Sequence, residues 1–200
     1  FIHNQYDHSL SEISLNGWSE DMHMQNGKVF VGNITNNMVY VINSSDDSIM
    51  DSILVGISPI SIQEDSRGNL WVLSQGSQSL NESPSISIIE TQNHSIIKSF
   101  YLEDNQSYPS YLNIDIETNK VFLINNHIYK FQNMDDTLPH IIWPNNNNNF
   151  YNLKINPYNK DLYITDAKDY VQNGSLIIID SIGNLKEEVV AEIIPKSIIF

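Results

Sequence analysis

The chain has no cysteine, which removes disulfide frames and thiolate metal sites at once. It is poor in basic residues: 10 Lys and Arg face 24 Asp and Glu, a formal net charge of −14. Nucleic acid and anionic membrane surfaces both need a basic footprint, so neither is an expected partner. No run approaches the roughly 18–20 apolar residues of a membrane-crossing helix. No long stretch carries the i, i+3, i+4 period of an amphipathic helix either. Catalytic signatures are absent too, with no serine in a G-x-S-x-G setting and no glycine-rich phosphate loop. The histidines (His3, His8, His23, His94, His127, His140) form no H-x-H, H-E-x-x-H or His-plus-carboxylate spacing that suggests zinc. No metal, cofactor or catalytic residue is therefore expected. The chain starts at Phe1 with neither initiator Met nor signal peptide, which reads as a mature or truncated product.

What is present is a repeat. Lys28-Val29-Phe30-Val31, Asn69-Leu70-Trp71-Val72, Lys120-Val121-Phe122-Leu123 and Asp161-Leu162-Tyr163-Ile164 share one pattern, a polar residue followed by alternating aliphatic and aromatic ones. Each follows a turn: Gln25-Asn26-Gly27, Asp65-Ser66-Arg67-Gly68, Glu117-Thr118-Asn119 and Asn156-Pro157-Tyr158-Asn159-Lys160. The aromatic positions 30, 71, 122 and 163 are spaced by 41, 51 and 41 residues. A period of roughly 40–50 residues built from short strands is the signature of β-propeller blades. Such a unit cannot bury its own apolar face, so blades must pack side by side around an axis. At 200 residues and 40% hydrophobic content the chain can build that core.

Each repeat resolves into four strands, a to d. In the second they are Pro59 to Gln63, Leu70 to Ser74, Ser85 to Glu90 and Ile96 to Leu102. Strand c recurs at Met38 to Ile42, His127 to Phe131 and Ser175 to Asp180, and strand d at Ile49 to Val55 and Val189 to Ile194. Residues 10–15 read as strand d of an earlier, partial blade. Pro195 to Phe200 resembles the start of a strand a and is expected to close the ring. The expected organisation is one all-β propeller domain of about four and a half blades: 1–17 (partial), 18–58, 59–108, 109–149, 150–194 and the closing strand 195–200. Blades preceding Phe1 are expected to be missing.

Gly27-Lys28-Val29-Phe30-Val31, Asn37 to Ile42 and Ile53 to Pro59 resemble the YVTN-type repeat of YncE-like propellers. Tyr163 to Gly174, Asp180 to Leu185 and Ile193-Ile194-Pro195 are similar to the last blade of the surface-layer propellers of Bacteroidota. The resemblance implies a seven-bladed, secreted protein, usually held at the outer membrane by a lipid anchor upstream of this chain. It also implies binding rather than catalysis, with a TonB-dependent transporter as partner and a cobalamin-like nutrient as ligand. The chain departs from that group in being rich in Asn, Ile and Ser and poor in Lys.

In a propeller the d-to-a and b-to-c loops emerge at one end, where binding sites collect. Here the d-to-a set includes Trp18 and Glu20, Ile57 and Ser58, Tyr108 and Tyr111, and Trp143 with Asn145 to Tyr151. The b-to-c set includes Asn33 to Asn37, Gln75 to Glu82, Asn125 and Asn126, and Asp166 to Asn173. From these come the candidate contacts Trp18, Glu20, Asn33, Gln75, Tyr108, Tyr111, Trp143, Tyr151, Asp166, Asp169 and Tyr170. Their aromatic and amide character suits a ligand with apolar surface and many amide or hydroxyl groups. Turn formation is the competing explanation for every Asn and Gly among these loops. Phe30, Trp71, Phe122 and Tyr163 repeat with the blade and are expected in the seams, whereas Trp18 and Trp143 lie off that lattice.

Asp166-Ala167-Lys168-Asp169-Tyr170 is the loop densest in charge, and either holds a ligand or hard cation or is a salt-bridged anchor. A metal-dependent hydrolase or lyase would need Glu20, His23, Asp166 and Asp169 to converge. The acidic pairs Glu20-Asp21, Asp46-Asp47, Glu103-Asp104 and Asp135-Asp136 read as solvated turns. Asn-x-Ser/Thr triplets at Asn33, Asn43, Asn81, Asn93, Asn105 and Asn173 arise readily in an Asn- and Ser-rich chain. An interaction scaffold in a surface or secretion assembly is the alternative to ligand capture.

Overall fold

The computed structural model describes residues 2–3 (backbone), 8, 10–102, 108–131 and 139–200. Glu103-Asp104, Asp135-Asp136, Asn105 and the side chain of His3 lie outside the described residues.

Among the described residues a short pairing of β1 (Ile2–His3) with β2 (Leu10–Ser11) precedes four antiparallel sheets of four strands each. The first sheet is β3 (Ser19–Gln25), β4 (Lys28–Asn33), β5 (Met38–Asn43) and β6 (Ile49–Leu54). The second is β7 (Pro59–Glu64), β8 (Leu70–Ser74), β9 (Ser85–Glu90) and β10 (Ser95–Tyr101). The third is β11 (Tyr111–Asp115), β12 (Lys120–Asn125), β13 (His127–Phe131) and β14 (His140–Trp143). The fourth is β15 (Phe150–Ile155), β16 (Leu162–Asp166), β17 (Ser175–Ile179) and β18 (Leu185–Val190). Within each sheet the strands follow chain order, and the first strands touch in succession, β3 to β7 to β11 to β15. These are propeller blades arranged about the side of their innermost strands.

The local chemistry sets the hairpins. Asn26 and Gly27 both take positive φ (50° and 73°), the two-residue I′ turn whose twist matches its flanking strands. A side chain at position 27 would hold an L-residue in left-handed backbone. Gly27→Ala should therefore cost about 1 kcal/mol, measurable as a shifted denaturant midpoint with an unchanged slope.

Burial rises from the inner strand to the middle pair and falls at the rim. β8 is buried along its whole length, while β18 is exposed along its whole length. A middle strand with apolar neighbours on both faces reads as a continuous apolar run, and that is what Leu70 to Leu73 is. Among the described residues the core is three seams. Phe30, Val39, Val41 and Ile53 of the first blade meet Ile62, Leu70, Val72 and Ile89 of the second. Trp71, Leu73, Ile86 and Ile88 meet Leu112, Val121, Leu123 and Phe131. Phe122, Ile124 and Ile128 meet Leu153, Leu162, Ile164 and Ile177. Phe30, Trp71 and Phe122 are fully buried, as the repeat requires. Tyr163 holds the same position in the fourth blade, is half-buried, and meets the Phe200 ring edge-on at 4.9 Å.

Three expectations are corrected. Residues 195–200 form no strand: Pro195 offers no N–H, and Asn152 Nδ2 donates to the Lys196 carbonyl at 3.0 Å where a ladder would need backbone partners. In the last blade the outer strand is Leu185–Val190, so Ala191 to Ile194 lie beyond it; Ile194 takes φ 54°, which extended backbone cannot accommodate. Of residues 10–15 only Leu10 and Ser11 pair, while Leu15 instead offers its carbonyl to the Asn33 side chain. The rest of that segment is laid over the first blade.

Candidate functional site

The d-to-a loops, b-to-c loops and first residues of the inner strands enclose a cavity of about 580 Å³. It is walled by all four blades: Glu20 and Asp21, then Ser61 and Gln75, then Tyr108, Ser110, Tyr111 and Asn126, then Asn145, Asn148, Asn149, Tyr151, Asn152 and Tyr170, with Lys196 from the C-terminal segment. Its size is that of a small-molecule site.

The inner strands place one residue per blade at equivalent depth. Asp21, Ser61, Tyr111 and Asn152 pair respectively with Gly32, Leu73, Ile124 and Thr165, each two residues beyond the repeated aromatic. Asp21 and Ser61 stitch blade to blade, and Asn152 ties down the C-terminal segment. Asp21 Oδ2 accepts the Ile62 N–H at 2.7 Å, Ser61 Oγ reaches the Leu112 carbonyl at 3.5 Å, and Asn152 reaches Lys196. Burial pushes the Asp21 carboxyl above the usual carboxylate range, although the N–H groups of Ile62 and Met22 pull the other way. Burial also raises the Tyr111 phenol.

The fourth blade builds the most elaborate wall. Asp166 ends β16 with no exposure. It accepts from Asn148 Nδ2 at 2.8 Å, from the Asn149 N–H at 2.8 Å and from the Lys168 N–H at 2.9 Å, with Lys168 Nζ 3.1 Å away. Burial alone would raise its pKa; those donors and the Lys168 ammonium hold it below the usual carboxylate range. Asn149 Nδ2 then donates to the Lys168 carbonyl at 3.1 Å, locking the Asn-rich loop to the loop after β16. Tyr170 stands on that frame at φ 64°, its ring edge-on to Tyr151 at 6.2 Å. A bulky residue in left-handed backbone costs energy that its surroundings must hold in place.

Six expected contacts line the cavity: Glu20, Gln75, Tyr108, Tyr111, Tyr151 and Tyr170. Trp18 lies at its edge, 66% exposed, donating Nε1–H to Glu20 Oε2 at 2.8 Å. Trp18 and Tyr170 thus stand at the same end of the molecule. The remaining expected contacts sit elsewhere. Asn33 is fully buried and ties Asn36 to Leu15. Trp143 ends β14 rather than a loop and packs into the seam of the third and fourth blades. Asp166 is the buried anchor just described. Asp169 is exposed and caps the N–H groups of Val171 and Gln172, which lower its pKa. Glu20, His23, Asp166 and Asp169 are not brought together, since His23 Nε2 lies 3.0 Å from Glu64 Oε2 on another part of the first seam. Among the described residues no group of three or more His, Cys, Asp or Glu could hold a metal ion, and no helix is long and apolar enough to cross a membrane. The inner-strand liners Asp21, Ser61, Ser110 and Asn152, and Lys196, are liners that loop reasoning does not reach.

Residues 6–198 match the family described as Domain of unknown function (DUF5074). The chain belongs to that family. No curated protein matches it. Among solved structures it is similar to hydrazine synthase of Kuenenia stuttgartiensis: TM-score 0.66, 18% identity, over 83% of this chain and 46% of that one. It is also similar to a quinonprotein alcohol dehydrogenase-like protein from Bacteroides thetaiotaomicron: TM-score 0.68, 14% identity, over 86% and 45%. A third is the dihydro-heme d1 dehydrogenase NirN in complex with DHE: TM-score 0.60, 10% identity, over 82% and 34%. At such identities the likeness is one of fold. This DUF5074 chain spans less than half the length of each of these neighbours.

Proposed function

We propose that this DUF5074 protein is a non-catalytic binding protein whose mouth cavity takes a small, uncharged, hydrogen-bonding ligand. The observation that carries the reading is convergence: polar and tyrosine side chains from four blades meet in one cavity, on a frame fixed from beneath by Asp166. Ground-state binding needs this arrangement of fixed donors, acceptors and aromatic faces, without a nucleophile paired to a base. The resemblance to YncE-like surface propellers extends the proposal to nutrient capture at the cell surface, beside an outer-membrane transporter. A cobalamin-like molecule, with amides around its rim, is the ligand that resemblance adds.

Titration calorimetry with cyanocobalamin and a panel of neutral metabolites tests the reading, with Tyr170→Gly as control. Glycine suits φ 64° at no steric cost. The substitution should leave the melting temperature unchanged or higher and weaken the ligand by about tenfold, as loss of an aromatic contact does. No binding at micromolar or lower dissociation constants across the panel overturns the ligand reading.

A second reading draws on a different surface. Ile13, Leu15, Met22, Val29, Val31 and Ile42 line an apolar groove of about 510 Å³ on the open face of the first blade, where Met22 is 69% exposed. Such a face suits the scaffold role in a surface or secretion assembly. Pull-down from native membranes separates the two: a stoichiometric protein partner that survives Tyr170→Gly, without small-molecule binding, favours the scaffold.

A further inference from the structure

The mouth cavity carries unmet hydrogen bonds that narrow its ligand. Asn152 is 8% exposed, and its amide is divided: Nδ2 donates to the Lys196 carbonyl and the Tyr111 side chain is bonded to the same amide, while Oδ1 is buried with no hydrogen-bond partner of its own among the described residues. Ser110 Oγ, on the neighbouring blade, is likewise buried without a partner among the described residues. Both residues line the cavity. Unmet oxygens also occur away from the cavity, at Ser74 and Thr165 for example, but these two belong to residues that line it, where a guest supplying hydrogens would satisfy them.

The other polar liners are largely occupied. Gln75 Nε2 donates to the Pro109 carbonyl at 3.2 Å. Asn145 Nδ2 serves Asn126 and the Asn148 carbonyl, and its Oδ1 accepts the Asn148 N–H. Asn148 and Asn149 spend their NH₂ groups on Asp166 and on the Lys168 carbonyl. What the cavity offers a guest is therefore weighted toward acceptors and hydroxyls: Asn152 Oδ1, Ser110 Oγ and the Glu20 carboxylate. Tyr108, Tyr111, Tyr151 and Tyr170 add aromatic walls.

Charge weighs against two classes. Glu20 and Asp21 face the cavity against a single Lys196, in a chain of net charge −14, so phosphates and carboxylates are repelled. A cationic amine gains less here than from two bare carboxylates, since the N–H groups of Met22 and Ile62 hold both oxygens of Asp21 and Trp18 Nε1–H holds one oxygen of Glu20. A neutral molecule rich in hydroxyl donors, with an apolar ring face to lie against tyrosine, satisfies all of these terms.

We infer that the mouth cavity is a subsite for a short neutral saccharide, with Asn152 and Ser110 accepting its hydroxyls and the tyrosines packing on its ring. The inference rests on the reading of this cavity as a ligand site. The test is titration of the protein with maltose, cellobiose, lactose and chitobiose, beside glucuronic acid and cyanocobalamin. One or more neutral disaccharides should bind, glucuronic acid should not, and Ser110→Ala and Asn152→Leu should each weaken binding about tenfold, the worth of one hydrogen bond. Ser110→Ala guards the test, because Asn152→Leu also frees the Lys196 carbonyl and can disturb the C-terminal segment. Cyanocobalamin binding with no disaccharide binding at millimolar concentration overturns the saccharide and leaves the binding reading standing. Silence from every probe overturns both. Disaccharide binding indifferent to Ser110→Ala and Asn152→Leu overturns the placement of the sugar.

Discussion

Truncating Trp71 to Ala should remove about 3–5 kcal/mol of stability, the usual cost of deleting a large buried aromatic. For a domain of this size that lowers the melting temperature by roughly 10 °C. The indole is completely buried at the centre of the seam between the second and third blades. Phe100 and Phe131 meet it edge-on at 6.2 and 5.7 Å and meet each other at 5.6 Å, so one truncation removes two ring contacts from a closed triad. Its Nε1–H also donates to Asp65 Oδ2 at 3.0 Å, and Asp65 is the residue that shapes the β7–β8 turn through the N–H groups of Arg67 and Asn69. Trp71→Phe separates the terms. It keeps most of the packing and loses the bond to Asp65, so its loss should be well under half that of Trp71→Ala. Thermal unfolding followed by near-UV circular dichroism checks both; a loss below 1 kcal/mol in the alanine variant would contradict the seam assignment.

Trp71 also shows why so much of the fold was legible. β8 falls where its apolar run places it, because a middle strand between two seams is apolar along its length, and β9 and β13 fall where alternating apolar residues between turns place them. The repeat supplied the aromatic position four times, and three of the four are fully buried. The signal weakens where a strand has a neighbour on one side only. β18 has no buried residue, so its bounds had no burial pattern to fix them. Pro195 to Phe200 has the letters of a strand a, but strand identity needs a partner, and the segment meets a side-chain amide and a ring instead. Trp143 looked free because it stands off the aromatic lattice, yet a register shift at Ile128–Tyr129 sets it opposite Ile128.

The mouth was half legible for a similar reason. Loop residues advertise themselves by composition, which reached Glu20, Gln75, Tyr108, Tyr111, Tyr151 and Tyr170. Asp21, Ser61 and Asn152 look like ordinary polar positions in inner strands. Their register was nonetheless available, since each pairs two residues beyond the repeated aromatic. Asp166 was the reverse case: its loop allowed either ligand contact or a salt-bridged anchor, and the fold makes Asp166 the anchor beneath the mouth. Composition reports that a carboxylate is present, and only the fold reports which way its lone pairs are spent.

That distinction gives the second large effect. Asp166→Ala should cost about 3 kcal/mol, because it strips a fully buried carboxylate from three hydrogen-bond donors and an ammonium that remain in place. The loss should also reach the cavity, since Asn148 and Asn149 bond to that carboxylate and Tyr170 stands on the loop whose Lys168 N–H it holds, and ligand binding should fall with it. Acid should mimic the variant. The folded-state pKa of Asp166 is depressed, so its contribution is fully present above the unfolded value of about 3.9 and is lost as pH falls through the lower folded value. Lys168, whose pKa is raised chiefly by its bond to Asp166, stays charged throughout that window and adds no opposing slope. Denaturant midpoints of the native protein and Asp166→Asn, taken from pH 7 down to pH 3, should therefore run parallel until the unfolded value of about 3.9 and begin to converge below it. Asparagine keeps the shape of the side chain but not its charge, so curves that stay parallel to the acid end would show that the charge of Asp166 does not hold the mouth together.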